Sequence, residues 1–174
     1  FVMTNLLFNP NGRILRNRFW QGMVIMTVLS VLVAAGSVKL GFFFGLLAYA
    51  LIYPYICVYG KRFHDAGLSA WLVLVVFVVT FILSGIVGSM LNPFFMGAAE
   101  IAMQEEMTER MLAGDMAGMM EGAELLAAKL LPVTLISTVI VNAIAAIVVG
   151  MLPTQPAENK HGPVPGTDAA DSFS

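Results

Sequence analysis

Four stretches of this chain, residues 19–38, 40–59, 70–91 and 131–152, carry no Asp, Glu, Lys, Arg or His. A helix rising about 1.5 Å per residue crosses the roughly 30 Å hydrocarbon core of a bilayer in about 20 residues, close to the length of each run. Inside that solvent every backbone N–H and C=O must be bonded within the segment, and for an isolated apolar run only the helix does this. The chain is therefore expected to be an all-α membrane protein, a four-helix transmembrane bundle. Its make-up agrees: 59% of the 174 residues are hydrophobic and 11% charged, against roughly 45–50% and about 25% in soluble domains. Basic residues before the first run and Ala34-Ala35-Gly36-Ser37 at its end are also what a cleaved signal peptide has, but such leaders use only about 7–15 apolar residues.

Residues 1–18 read as a short irregular segment, with turn chemistry in Asn9-Pro10-Asn11-Gly12. Arg13, Arg16 and Arg18 follow, then Phe19-Trp20. This order sets guanidinium groups among phosphates and the aromatic rings at the headgroup boundary. Lys39 separates the first two runs, so they must form an antiparallel hairpin. In the second, Gly41 and Gly45 relieve bulk on one face. Pro54 leaves the Ala50 carbonyl without a donor and predicts a kink.

Between the second and third runs stands Lys61-Arg62-Phe63-His64-Asp65-Ala66-Gly67-Leu68-Ser69-Ala70-Trp71. If the second helix continues to about Ala66, Asp65 lies one turn from both Lys61 and Arg62, so one carboxylate serves two cations. Gly67 suits the left-handed residue that ends a helix, and Ser69 suits the cap that starts the next, with Trp71 at the interface. Asn92-Pro93 is expected to end the third span. Residues 92–130 then form an acidic, Met-rich amphipathic helical insertion, broken at Gly114-Asp115. Met103, Met107 and Met111 at four-residue spacing have thioethers able to ligate Cu(I), but flexible apolar filler is the commoner use of such a stripe. In the fourth span Asn142, Ala146 and Gly150 line a face that should meet another helix, with the Asn142 amide bonded across the interface. The tail, 153–174, is expected to be largely disordered, above all after about Pro165.

Four spans put both ends on one side, and the basic residues choose it. Arg13, Arg16, Arg18, Lys61, Arg62 and Lys160 face Lys39, Arg110 and Lys129 across the membrane, six against three. That bias makes residues 1–18, the 61–71 turn and the tail cytoplasmic and the 92–130 insertion extracytoplasmic. With a net charge of −2 and no massed basic residues, nucleic acid is not an expected partner. The single cysteine, Cys57, allows no intrachain disulfide, and no cofactor or metal centre is indicated.

Three separated segments, Gly12–Trp20, Arg62–Trp71 and Asn159–Pro165, resemble the bacterial inner-membrane proteins catalogued as domain of unknown function 805. The resemblance implies a small multi-pass protein of the bacterial cytoplasmic membrane with no settled activity and no catalytic residues to carry over. The chain departs from the family's usual pattern at Arg18, where an acid often stands, at Ala70, where glycine does, and at His161, where an aromatic does. The 94–130 segment looks like an insertion in a usually shorter connection.

Three functions fit these residues to different degrees. In the first, Arg13, Arg16, Lys61, Arg62, His64, Asp65 and Lys160 make a cytoplasmic collar that holds anionic lipid headgroups, a membrane-protein partner or a second copy of the chain. The alternative is a subunit of a transporter or channel moving about Pro54, although the spans lack the ionisable groups that coupled carriers use. An enzyme using His64 and Asp65 as acid and base comes last, because neighbours on a helix point about 100° apart. Gly67, Ser69, Trp20, Trp71, Pro54 and Asn142 are assigned structural roles.

Overall fold

A computed structural model describes residues 2–166. Expected disorder beyond about Pro165 falls almost wholly on 167–174, outside the described residues. Among those described there are nine helices and no β-strand. They are α1 (Val2–Phe8), α2 (Arg16–Leu40), α3 (Phe42–Gly45), α4 (Leu47–Ala50), α5 (Ile52–Asp65), α6 (Leu72–Phe95), α7 (Ala98–Leu112), α8 (Met116–Lys129) and α9 (Leu131–Gly150). Four helices are long and apolar enough to cross a membrane: Arg16–Leu40, Phe43–Asp65, Leu72–Phe95 and Leu131–Gly150. The protein is an all-α, multi-pass membrane bundle with a helical insertion between its third and fourth spans.

α2 and α6 lie on one diagonal of the bundle and both pack on α5 and α9, which occupy the other. The apolar core is gathered at one end, where α2 and α6 begin and α5 and α9 finish. Phe19, Met23, Val58, Tyr59, Phe63, Val73, Ala145, Ala146 and Val149 are buried together there with Leu6 and Ile14. Close approach needs a small residue at Gly150: a Cβ there would stand 2.8 Å from Trp20 Cζ2 and 3.1 Å from Phe19 Cε1. Trp20 therefore packs on α9, while Trp71 is exposed at 77%. At mid-bundle Tyr55 Oη donates to Asn142 Oδ1 at 3.0 Å and shares a 3.0 Å bond with Ser30 Oγ, linking α5, α9 and α2.

Local chemistry sets the ends of the helices, and several differ from expectation. Residues 2–8 are helical, because an apolar heptad that packs on α5 gains order its own length does not give it. Gly41, at φ 85°, is the turn between the first two spans rather than a packing position. The second span is interrupted at Leu46 and Leu51, and Pro54 falls in the first turn of α5, where it supplies no N–H to the Ala50 carbonyl at the end of α4. α6 runs through Pro93 to Phe95, so Asn92-Pro93 slows but does not end it. α5 closes with Leu68 N–H on the Phe63 carbonyl and Gly67 N–H on that of His64, Gly67 standing at φ 74°. Ser69 caps only the lead-in turn: its Oγ takes Trp71 N–H at 3.4 Å, while α6 starts at Leu72 without a side-chain cap.

The insertion is a helical hairpin, α7 packed on α8. Asp115 caps α8 by accepting Gly118 N–H at 2.9 Å, and Lys129 reaches Glu100 at 2.8 Å across the pair.

The packing at Gly150 predicts an asymmetry between glycines. Gly150→Ala should destabilise the bundle by roughly 1–3 kcal/mol, the usual effect of overfilling a packed site. Gly88→Ala, with nothing within 4 Å of the new Cβ, should shift it by less than about 0.5 kcal/mol. Thermal unfolding of the two variants in one detergent checks this, and equal melting points would contradict it.

Candidate functional site

The chain ends α5 with an acid, and the carboxylate is fully buried. Asp65 sits where the dipole of its own helix is negative, so its charge has to be met from elsewhere. Arg62, one turn back and also fully buried, pairs with Oδ2. Arg13 brings Nη2 to 3.2 Å and Nε to 3.3 Å of Oδ1 from the N-terminal segment. Thr154 donates its hydroxyl to Oδ2 at 2.7 Å.

Two guanidinium groups carry ten N–H donors between them, more than one carboxylate accepts. Most of the surplus goes to backbone carbonyls, while Arg62 Nε is buried without a partner among the described residues. Arg62 Nη2 donates to the carbonyls of Leu152 and, at 3.1 Å, Gly150, and so caps the C-terminus of α9. Arg13 donates to the carbonyls of Gln155 at 2.6 Å and Ala157 at 2.8 Å. Gln155 N–H returns a 2.8 Å bond to the Asp65 carbonyl, and Asn159 Nδ2 donates to that of His64 at 3.0 Å. Residues 152–162 are thus a strap fastened across the end of the bundle; the described part of the tail, 153–166, is built into the fold.

Lys61 does not join Asp65. Its ammonium donates to the carbonyls of Asn5 at 2.7 Å and Leu6 at 2.8 Å, capping the C-terminus of α1. Each buried cation of α5 therefore closes a helix end belonging to another part of the chain. His64 Nδ1 donates to the Gly12 carbonyl at 3.1 Å, and its ring stacks on His161 with centroids 3.7 Å apart and planes 8° from parallel. His64 and Asp65 turn to different partners and form no acid–base dyad.

Of the seven collar residues inferred from sequence, Arg13, Arg62 and Asp65 come together in this knot with His64 beside them, whereas Lys61 is turned to the end of α1. Arg16 and Lys160 stand exposed at the edge of the knot, Arg16 donating to the Leu152 carbonyl at 3.4 Å. Sequence reasoning missed Thr154, Gln155 and Asn159 as members of the network. Thr154, Gln155 and Asn159 are polar residues just past the last span, a weak signal; Gln155 acts through its backbone and also accepts from Asn159 Nδ2 at 2.8 Å. Among the described residues no group of three or more His, Cys, Asp or Glu is arranged to hold a metal ion.

Removing the carboxylate leaves two buried cations facing each other. Asp65→Asn should destabilise the protein by about 3–5 kcal/mol, whereas Arg16→Ala, at an exposed position, should change it by less than about 1 kcal/mol. Denaturant unfolding of both in one detergent measures this, and similar losses would show that the knot does not hold this end together.

No curated protein and no solved structure matches the chain. A family profile described as "Protein of unknown function (DUF805)" matches residues 7–163, which takes in α2, α5, the strap and every member of the knot. The chain belongs to that family of proteins of unknown function.

Proposed function

We propose that this is a non-catalytic binding and assembly module of the bacterial cytoplasmic membrane, with the knot facing the cytosol and anionic lipid headgroups as its ligand. The observation that carries this reading is the division of the cations. Arg13 and Arg62 are taken up inside the knot and Lys61 is buried against the end of α1, while Arg16, Arg18 and Lys160 are exposed around them. A headgroup phosphate meets the outer three on a rim that the inner three keep rigid. Arg16 and Arg18 open the first span, at the level where acyl chains give way to headgroups. The six-to-three distribution of Lys and Arg between the two ends supports the orientation.

Each exposed cation near an anionic surface contributes about 1 kcal/mol. The triple substitution Arg16→Gln, Arg18→Gln, Lys160→Gln should therefore lower the preference for phosphatidylglycerol over phosphatidylcholine by on the order of 100-fold. Native mass spectrometry from mixed micelles reads the ratio of adducts. An unchanged ratio would sink the lipid reading, and a protein partner lost with the same three charges would replace it.

A transporter or channel subunit is the second reading, favoured by one observation: regular helix in the second span is interrupted at Leu46 and Leu51, just ahead of Pro54, although the backbone there stays right-handed. Solute flux in proteoliposomes that is abolished by Pro54→Ala would support it, and flux that Pro54→Ala leaves unaltered would remove Pro54 as the moving part.

A further inference from the structure

Strap and bundle meet at two imidazoles. His64 comes from the last turn of α5 and His161 from the strap, stacked with centroids 3.7 Å apart. Because a carbonyl only accepts, the 3.1 Å bond to Gly12 puts the neutral ring's proton on His64 Nδ1. His161 Nε2 is buried and, among the described residues, has no hydrogen-bond partner. We propose that this stack is an acid-sensitive latch: the strap stays closed while the rings carry at most one proton and is released when both are charged.

The charges around the pair make a second proton unwelcome. Arg13 faces it from the N-terminal segment, Lys160 precedes His161 on the strap, and Arg62 lies on α5. Among the described residues the one buried acid beside it, Asp65, already receives both guanidinium groups and the Thr154 hydroxyl. Glu158, on the strap, is exposed to solvent. A proton on His161 Nε2 would create a buried donor without an acceptor against a second cation at stacking distance.

Burial, and then the charges of His64, Lys160 and Arg13, hold the His161 imidazole below its ordinary 6.5. The closed strap therefore binds fewer protons than the released one. Closure is fully present above about pH 6.5 and weakens as the pH falls below it, by up to about tenfold per pH unit for each such imidazole. The other bonds of the strap, to the carbonyls of Asp65, Ala157 and Gln155, involve guanidinium and amide donors that do not titrate in this range.

Hydrogen exchange read by mass spectrometry tests the latch on the full chain in nanodiscs of uncharged lipid, with rates corrected for the intrinsic pH dependence of exchange. From pH 7.5 to 5.0 the amides of residues 155–162 should lose about 10- to 30-fold of their protection, while those of α9 keep theirs. His161→Phe keeps a flat ring against His64 but cannot be charged, and should hold strap protection within about twofold at pH 5.0. Strap protection that stays level to pH 5.0 in the unaltered protein overturns the proposal, as does an equal loss in His161→Phe or a loss shared by α9. The series on the unaltered protein decides without a variant, and His161→Trp serves if His161→Phe is not recovered folded.

Discussion

A carboxylate withdrawn from water at the wrong end of its own helix governs the organisation of this protein. Asp65 has no favourable dipole to lean on, so its charge is stable only with cations pressed against it. The cations supplied are guanidinium groups, and each brings more donors than a carboxylate accepts. The excess has to be bonded where there is no water, and the acceptors available are the last carbonyls of α9 and those of the strap. One acid thereby draws the N-terminal segment, the turn between the second and third spans, and the chain after the fourth span into a single knot. Buried ion pairs are weak evidence of stability, but they penalise every arrangement in which a partner is missing. The part of the knot in this protein is accordingly to fix which segments meet.

The spans were legible because lipid leaves an uncharged run of about 20 residues little choice of conformation. The close of α5 was legible too, since Gly67 stands in a conformation that other residues adopt at a penalty. The pairing of Arg62 with Asp65 followed from helical spacing, whereas that of Lys61 did not. Spacing allows Lys61 to reach Asp65, but the helix end at Asn5 and Leu6 competes for the ammonium, and a seven-residue helix is too short to announce itself by periodicity. Arg13, 52 residues away from Asp65, takes the vacant side of the carboxylate. The carbonyls of Gly150, Leu152, Gln155 and Ala157 carry no side-chain identity, so nothing in the sequence marked them as ligands of arginine. What the sequence described as a charged collar is in the fold mostly an interior, and only its margin faces outward.

The two ends of the bundle are built differently. Near the knot, rings and methyl groups interlock and most polar atoms are bonded over several elements, Tyr59 Oη, Arg62 Nε and His161 Nε2 being the exceptions among the described residues. Toward the other end α3 and α4 are short, Phe43 is 83% exposed, and the insertion projects as a hairpin whose Leu112 is 80% exposed. Spans that bury little of their surface against one another present it to acyl chains, which are as apolar as a neighbouring helix and drive no tight association. One end is thus a fixed platform, and the other is left to adapt to what surrounds it.

The distance along the chain between the members of the knot carries a consequence for the order in which they are made. Thr154 lies 89 residues after Asp65, and Gly162 lies 149 after Arg13. During synthesis Asp65 and Arg62 enter the bilayer boundary long before the groups that complete their bonding exist. Until the fourth helix is threaded and the segment behind it has followed, the nascent protein holds charges with no lasting partners. A polypeptide cut short in that interval displays its own incompleteness, because its earliest arginines still await the last residues to be translated.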